Sequence, residues 1–519
     1  MIGQAPLEGL TDAEIRRKAE WLELCRRRLL PFFKHVFTGQ LKILPETIVI
    51  AEALERFFQK VREGGRPRLI IIEPPRVGKS ELTTRTFPAW VLGQEPDWHL
   101  GIVSYGDDLA WEMSSDCRAI VNDEAFAEIW GATYKTEDEL DEVIALDPNT
   151  KSVKHWKIKD RRGGVRSAGI NGSLTGKGYK IVVFDDPTKG RKEADSRDYR
   201  DEQWAQFKGT FYPRLEPEGS GIVVMGTAWH VDDILGRLQK ENLERENDLL
   251  ADHWEILHIP AQALPGRKDI LGRSTGEWMG GRRTIPEWEH LKANIDPREW
   301  AAQYLGLPLP EEGQIFHPYE DFLFEEAPED EPGKLYRGPR YGFADTSHAK
   351  NRDSDYSAIG ICQIEPDRLV DLKNYHVLGI LDAHRARWQY PELKQQAKRA
   401  YDFWKLWAFV IEDYSSGRAL AQEFKMDSGM SIVTYRPDRD KFARAHAATE
   451  TMSRWKIRVP EGDRFPSGLL IRVFLDELAS FQPGGVDHDD QVDWFTMAMR
   501  GVSRWYGARE IQMRDFVFV

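Results

Sequence analysis

Three groups of residues in this sequence have types and spacings that could do chemistry. The first is Glu73-Pro74-Pro75-Arg76-Val77-Gly78-Lys79-Ser80, which follows the apolar run Leu69-Ile70-Ile71-Ile72. A β-branched run that ends in a turn, followed by Gly-Lys-Ser opening a helix, is the layout of a phosphate-binding P-loop. Backbone N–H groups and the helix N-terminus cradle phosphates, Lys79 neutralises the transferred phosphoryl group, and the Ser80 hydroxyl ligates Mg²⁺. The pattern G-x-x-x-x-G-K-S/T has Glu73 where its first glycine would stand. A bare Gly-Lys-Ser also occurs in accidental turns; the strand before it and the absence of helix breakers over residues 80–85 favour phosphate binding.

The second group is Phe184-Asp185-Asp186-Pro187, at the end of another apolar run. At the C-terminal edge of a neighbouring strand, Asp185 would hold Mg²⁺ and Asp186 would orient or deprotonate the attacking water. Asp-Pro is also a common turn opener, but with Gly78-Lys79-Ser80 upstream the pair reads as part of an ATPase. The third group is Asp345, Glu412-Asp413 and Asp487-His488-Asp489-Asp490-Gln491-Val492-Asp493. Asp489 and Asp493 would share one face of a helix. Each acid alone reads as a surface or capping residue. Brought together they would repel one another unless cations offset the charge. Two Mg²⁺ or Mn²⁺ ions would do so and would align water, phosphodiester and leaving oxygen, as in a metal-dependent nuclease.

The elements that must position these groups alternate. Strand-like runs at 100–104, 181–185, 221–225 and 254–259 are separated by helical stretches such as 108–121 and 198–208, which implies a doubly wound, mostly parallel α/β sheet. Residues 308–340 are rich in Pro, Glu and Gly and read as a linker. A second α/β pattern follows: strands at 341–345, 357–363 and 369–376, a helix at 390–405, a strand at 407–412, a helix at 418–425 and a strand at 431–435. Acids on the first and fourth strands and on a late helix match an RNase-H-like nuclease plan. The expected organisation is an N-terminal helical segment (1–47), a P-loop ATPase domain (48–307), the linker (308–340), an RNase-H-like domain (341–505) and a tail (506–519).

Residues 11–37 read as a single amphipathic helix, capped by Thr11 or Asp12, with Ile15, Ala19, Leu22 and Leu29 on its apolar face. Arg16, Arg17, Lys18, Arg26, Arg27 and Arg28 make it basic, either as a solvated face or as a contact for DNA or a partner. Residues 151–166 form a second basic stretch after an acidic run and before a glycine-rich loop (168–176). Beside an ATP site such a segment can present an arginine finger to a γ-phosphate, its own or a neighbour's.

The chain has 519 residues, 41% hydrophobic and 30% charged, which suits a globular protein of two or three domains. A net charge of −13 argues against a generic nucleic-acid coat, but not against a machine that grips DNA locally and releases it. No apolar run approaches transmembrane length, and residues 1–10 lack the apolar core of a signal peptide. Three widely spaced cysteines make a disulfide framework or a zinc site unlikely and fit a reducing cytoplasm.

In this order the motifs resemble the large terminase subunit of tailed bacteriophages, the ATPase-nuclease of the DNA-packaging motor. The resemblance runs over residues 48–500 and rests on residues 74–82, Phe87-Pro88-Ala89-Trp90, Ser104-Tyr105, Phe184-Asp185-Asp186-Pro187, Met225-Gly226-Thr227-Ala228-Trp229-His230 and His488-Asp489-Asp490-Gln491-Val492-Asp493. It implies that Arg76, Val77, Gly78, Lys79, Ser80, Glu81 and Thr227 bind ATP, with Lys79 acting on phosphate. Ser80 and Asp185 hold Mg²⁺, Asp185 and Asp186 form the Walker B pair, and Gly226-Thr227 couples hydrolysis to movement. Arg166 is the candidate finger. Asp345, Glu412 and Asp489 match the nuclease triad, with Asp493 as a fourth metal ligand; Glu412 fits the family's E-x-x-x-x-G spacing to Gly417 better than Asp413. Glu73 in place of glycine and Asp186 in place of glutamate depart from the pattern.

The resemblance further implies double-stranded DNA, the small terminase subunit and the portal of the procapsid as partners. It also implies a homo-oligomeric ring on the portal, no membrane, and a host-cytoplasmic location outside the mature virion. Two rivals remain at this point: a DNA-repair helicase-nuclease, which would separate strands, and a non-catalytic packaging scaffold, which would not cut DNA.

Overall fold

The computed structural model describes residues 11–37, 42–131, 144–150, 152–172, 174, 178–245, 248–308, 315–325, 338–347, 356–370, 373–413, 415–427, 429–437, 440–481 and 489–506. Most of the expected tail, Asp487-His488, the acidic run before residue 144 and parts of the glycine-rich loop lie outside the described residues. The chain forms two compact units, one of residues 1–263 and 269–308, the other of residues 264–268 and 309–519.

The first unit is built on strands β1 (Arg68–Ile72), β2 (His99–Ser104), β3 (His155–Lys157), β4 (Gly164–Gly169), β5 (Ile181–Asp185), β6 (Gly221–Gly226) and β7 (Trp254–His258). They form one sheet in the order β3-β4-β2-β5-β6-β1-β7, parallel throughout except for the antiparallel β3. Side chains alternate across it. Leu69, Ile71, Ile102, Val183 and Val223 pack into one core, and Ile70, Ile72, Val103, Phe184 and Val224 into another. Burial on both faces is why these strands read as unbroken apolar runs.

The N-terminal stretch differs from the single helix expected over 11–37. Helices Asp12–Arg27 and Leu29–Val36 meet at Arg28, whose backbone is extended. Pro31 has no N–H to bond back across the break, so the helix cannot run through. Glu55 seals the second start, accepting the Leu29 N–H at 2.6 Å and the Arg28 guanidinium at 2.6 Å. Much of the basic face is used internally: Lys18 pairs with Glu128, and Arg26 and Arg27 pair with Glu23.

The second unit holds β8 (Leu323–Phe324), β9 (Arg340–Asp345), β10 (Ser357–Val370), β11 (Lys373–Ala386), β12 (Ala408–Glu412), β13 (Ile432–Tyr435) and β14 (Trp455–Val459), in the order β13-β12-β9-β10-β11-β14-β8. β9, β10 and β11 form an antiparallel meander, and β12 and β13 continue it parallel to β9. This is the mixed sheet of an RNase-H-like fold. The expected linker is only partly one: Ile315, Phe316 and Phe322 belong to the second core, and β8 pairs with β14. β14 and the helices Lys441–Met452 and Ile471–Ser480 have no counterpart among the expected elements.

Candidate functional site

Two clusters of charged side chains stand at strand ends, one in each unit. In the first unit β6 lies between β1 and β5. The P-loop therefore follows one strand, and Asp185-Asp186 end the strand two places away. Parallel strands bring those C-terminal ends to one edge of the sheet, where ligands of open α/β sheets bind. Lys79 Nζ lies 2.8 Å from Asp186 Oδ1, and Ser80 Oγ donates to Asp185 Oδ1 at 3.2 Å. From the intervening strand, the Thr227 N–H donates to the same Asp186 oxygen at 3.0 Å. Arg76, Gly78 and Asp186 all have positive φ, at 63°, 94° and 42°. Left-handed non-glycine residues are costly and gather where a loop is shaped for a ligand.

The helix after the loop is widened. Over Glu81–Thr86 the backbone bonds span five residues before Phe87–Gln94 resumes the ordinary turn, a distortion common beside functional sites. Glu81 pairs with Arg85, and the Val77 side chain is buried in the core.

Burial and the neighbouring Asp186 push Asp185 up to about 6, against the pull of Lys79. Its Oδ2 is buried with no hydrogen-bond partner. A buried carboxylate oxygen without a donor, beside a serine hydroxyl, suits a hard divalent cation that takes oxygen ligands. Glu73, at the departing P-loop position, is 2% exposed, as is Glu46, and neither has a hydrogen-bond partner on either side-chain oxygen. Burial, then the charge of Glu46, lifts Glu73 to about 8.

The backbone of Arg166 lies short of this edge of its own sheet. It pairs in register with Gly101, three positions short of the level of Ser104 and Asp185, which is roughly 10 Å of strand. Its charge acts instead on Tyr179, which precedes β5. A finger offered to a neighbouring copy's γ-phosphate needs no place at this edge. A second arginine at the P-loop, besides Arg76, is Arg282, which no motif flags. Its guanidinium rests against Gly78, with Nη2 2.2 Å from where a Cβ on that glycine would stand.

In the second unit β9 and β12 are parallel neighbours, with Ala344 opposite Ile411. Asp345 and Glu412 are the next residues along, so the two carboxylates end adjacent strands side by side. Gly417 fixes the turn beyond Glu412: a Cβ there would stand 2.1 Å from the Glu412 carbonyl oxygen. That is a physical reason for the four-residue spacing. Asp413 turns away and binds Arg418 at 2.8 Å. Burial, the charge of Asp493 and the touching Glu412 carboxyl push Asp345 well above the usual carboxylate range.

Two cations offset this charge, both from the helix Lys441–Met452. Lys441 Nζ lies 2.5 Å from Asp489 Oδ1 and 2.5 Å from Asp493 Oδ2. Arg444 reaches Asp493 at 2.6 Å and Glu412 at 3.4 Å. Of Asp489 and Asp493, it is Asp493 whose charge acts on Asp345, whereas Asp489 joins the cluster through Lys441. Among the described residues no three His, Cys, Asp or Glu side chains converge as a ready ligand cage. The expected set Asp345, Glu412 and Asp489 stands at one end of the sheet with Lys441 and Arg444 interleaved. The Asp345–Glu412 pair is the part that fits a divalent cation as it stands. The two basic residues stand three apart behind the helix-capping Asp440, and no motif flags them.

A P-loop NTPase-type unit followed by an RNase-H-like unit is the class these folds and sites define. Residues 342–500 match the family model described as "Terminase RNaseH-like domain". That match, with the order of motifs along the chain, supports a large terminase subunit of a phage DNA-packaging motor. No curated protein matches the chain. Among solved structures, the large terminase of bacteriophage HK97 is 13% identical, with 93% of this chain and 99% of that chain covered and a TM-score of 0.36. The large terminase of a thermophilic bacteriophage in complex with ATP-gamma-S is 9% identical over 87% of this chain and 98% of that chain, at a TM-score of 0.31. A mutant ATPase domain of the Thermus phage P74-26 large terminase is 14% identical over 53% of this chain and 98% of that chain, at a TM-score of 0.32. Among the described residues no helix is long and apolar enough to cross a membrane.

Proposed function

We propose that the first unit hydrolyses ATP to drive double-stranded DNA into a procapsid, and that the second cuts that DNA with divalent metal. The observation that carries this reading is the pairing of Lys79 with Asp186 and of Ser80 with Asp185. Side chains far apart in sequence meet in the roles an NTP-hydrolysing site needs: a phosphate-binding cation, a metal-holding acid and a water-orienting acid.

Mg²⁺ supplies charge neutralisation between the ATP phosphates when bound, and Ser80 and Asp185 would hold it. Lys79 withdraws charge from the phosphate chain. Asp186, released from Lys79 when phosphate takes its place, accepts the proton of the attacking water. Thr227 reports the state of Asp186 to β6 through its backbone N–H. In the second unit, Asp345 and Glu412 would hold the Mg²⁺ or Mn²⁺ that polarises the scissile phosphate, with Asp489 and Asp493 completing the set once Lys441 moves aside. DNA contacts fall mainly on the phosphate backbone, since a translocating motor cannot depend on sequence. Docking as a homo-oligomeric ring on the portal, with a small terminase subunit, in the host cytoplasm completes the proposal.

The test is direct. The purified chain should release phosphate from ATP in Mg²⁺ and nick supercoiled plasmid in Mn²⁺. No phosphate release would remove the motor half of the reading, and no metal-dependent nicking the nuclease half.

A further inference from the structure

We infer that Arg282 is a ligand of the ATP phosphate chain, delivered to the P-loop in cis from the far end of the same unit; this rests on the P-loop reading above. A P-loop glycine of positive φ leaves the backbone bare so that phosphates can approach it closely. At Gly78, φ 94°, that bare face is covered by the Arg282 guanidinium, whose Nη2, Cζ and Nη1 lie 2.2, 2.8 and 3.3 Å from an added Cβ. Of all the glycines in the described residues, this is the one in a phosphate-type loop with a cation on it.

The placement is built rather than incidental. The segment carrying Arg282 is fastened on both sides. The Met279 N–H bonds to the Ala261 carbonyl at 2.7 Å, and the Met279 carbonyl accepts Trp288 Nε1 at 2.8 Å. Beyond it, Thr284 and Glu287 form a reciprocal cap that starts the next helix. Gly281 presses on Leu44. The adjacent Arg283 lies over the Trp288 ring, 5.3 Å from its centroid. Arg282 has no such use: it is exposed and forms no hydrogen bond or ion pair among the described residues.

Behind the guanidinium stand two carboxyl groups. Glu46 and Glu73 are both buried and unpartnered, and both feel Arg282. Glu73 stands where the P-loop pattern has glycine, so the departure has a physical counterpart: the acid replaces the glycine and a cation faces it. A guanidinium suits the phosphate chain through its planar fork of donors.

The experiment measures binding of a fluorescent ATP analogue and, by competition, of inorganic tripolyphosphate and adenosine, to the full chain and to Arg282→Ala and Arg282→Lys. Loss of a charge-assisted contact predicts that Arg282→Ala weakens both the analogue and tripolyphosphate by about 10- to 100-fold. Adenosine binding and the melting temperature stay unchanged, and Arg282→Lys recovers part of the loss. Unchanged or tighter binding in Arg282→Ala, or a loss confined to adenosine, overturns the inference while leaving the P-loop assignment intact. A wild-type chain that binds neither ATP analogue nor tripolyphosphate overturns both, and Lys79→Ala is the reference for that outcome.

Discussion

Lys79 Nζ lies 2.8 Å from Asp186 Oδ1, and that oxygen also accepts the Thr227 N–H at 3.0 Å. One carboxylate oxygen thus joins the P-loop, the end of β5 and the start of the segment after β6. Phosphate entering the loop competes with Asp186 for Lys79. On the proposed reading, the acid assigned to the attacking water would be held by the lysine until nucleotide arrives, and its release would be felt on the neighbouring strand.

Asp186→Asn should retain this geometry but not the charge. Nucleotide affinity should stay within a few-fold of wild type or rise, because Lys79 loses a competing anion. The turnover number should fall by about 100-fold or more, in the range by which a positioned general base contributes. Steady-state phosphate release beside equilibrium nucleotide binding separates the two effects. A variant with unchanged turnover would remove Asp186 from the reaction.

Glu73 gives a prediction in pH. Its folded-state pKa is raised from an ordinary 4.5 to about 8, so the folded state binds the proton more tightly than the unfolded chain. The associated stability is fully present below about pH 4.5 and is lost as pH rises to about 8. Glu73→Gln keeps the shape without the titration. Its melting temperature should exceed that of wild type by at least about 2 °C at pH 8 and converge with it near pH 5. A difference that does not grow with pH would mean that Glu73 is not held protonated.

Lys441 carries the third prediction. Burial works against its charge, but Asp493 and Asp489 outweigh burial and hold its pKa above the usual lysine value. An ammonium bound to two carboxylates competes with any divalent ion for them. Lys441→Met should tighten Mn²⁺ binding by about tenfold, since a unit charge at about 4 Å is worth roughly 1–4 kcal/mol in wet to partly shielded surroundings. Calorimetric titration in the Lys79→Ala background without nucleotide isolates this site. Weaker binding in Lys441→Met would mean that the lysine supports the metal rather than competing with it.

The legible part of this molecule is the part whose chemistry is local. Gly78-Lys79-Ser80 and Asp185-Asp186 each sit within a few residues of a strand end, so pattern and position coincide. Asp345 and Glu412 were legible because each ends an apolar run, and parallel pairing does the rest. Arg282, Lys441 and Arg444 were not, because each reaches its cluster from an element whose own sequence gives no reason to look there. Arg166 stands on local context alone: strand register sets its backbone three positions short of its own strand ends, and a finger offered to a neighbouring copy needs no place there. The break at Arg28 was written in Pro31, which the amphipathic periodicity of residues 11–37 outweighed.

The central claim is that two independent centres share this chain. The measurement that tests it most directly is a cross-assay of Lys79→Ala and Asp345→Ala for ATP turnover in Mg²⁺ and for plasmid nicking in Mn²⁺ without nucleotide. Lys79→Ala should lose ATP turnover and keep nicking; Asp345→Ala should lose nicking and keep ATP turnover. If either variant lost both activities while remaining folded, or kept the one assigned to its site, the account of two separate centres would be contradicted.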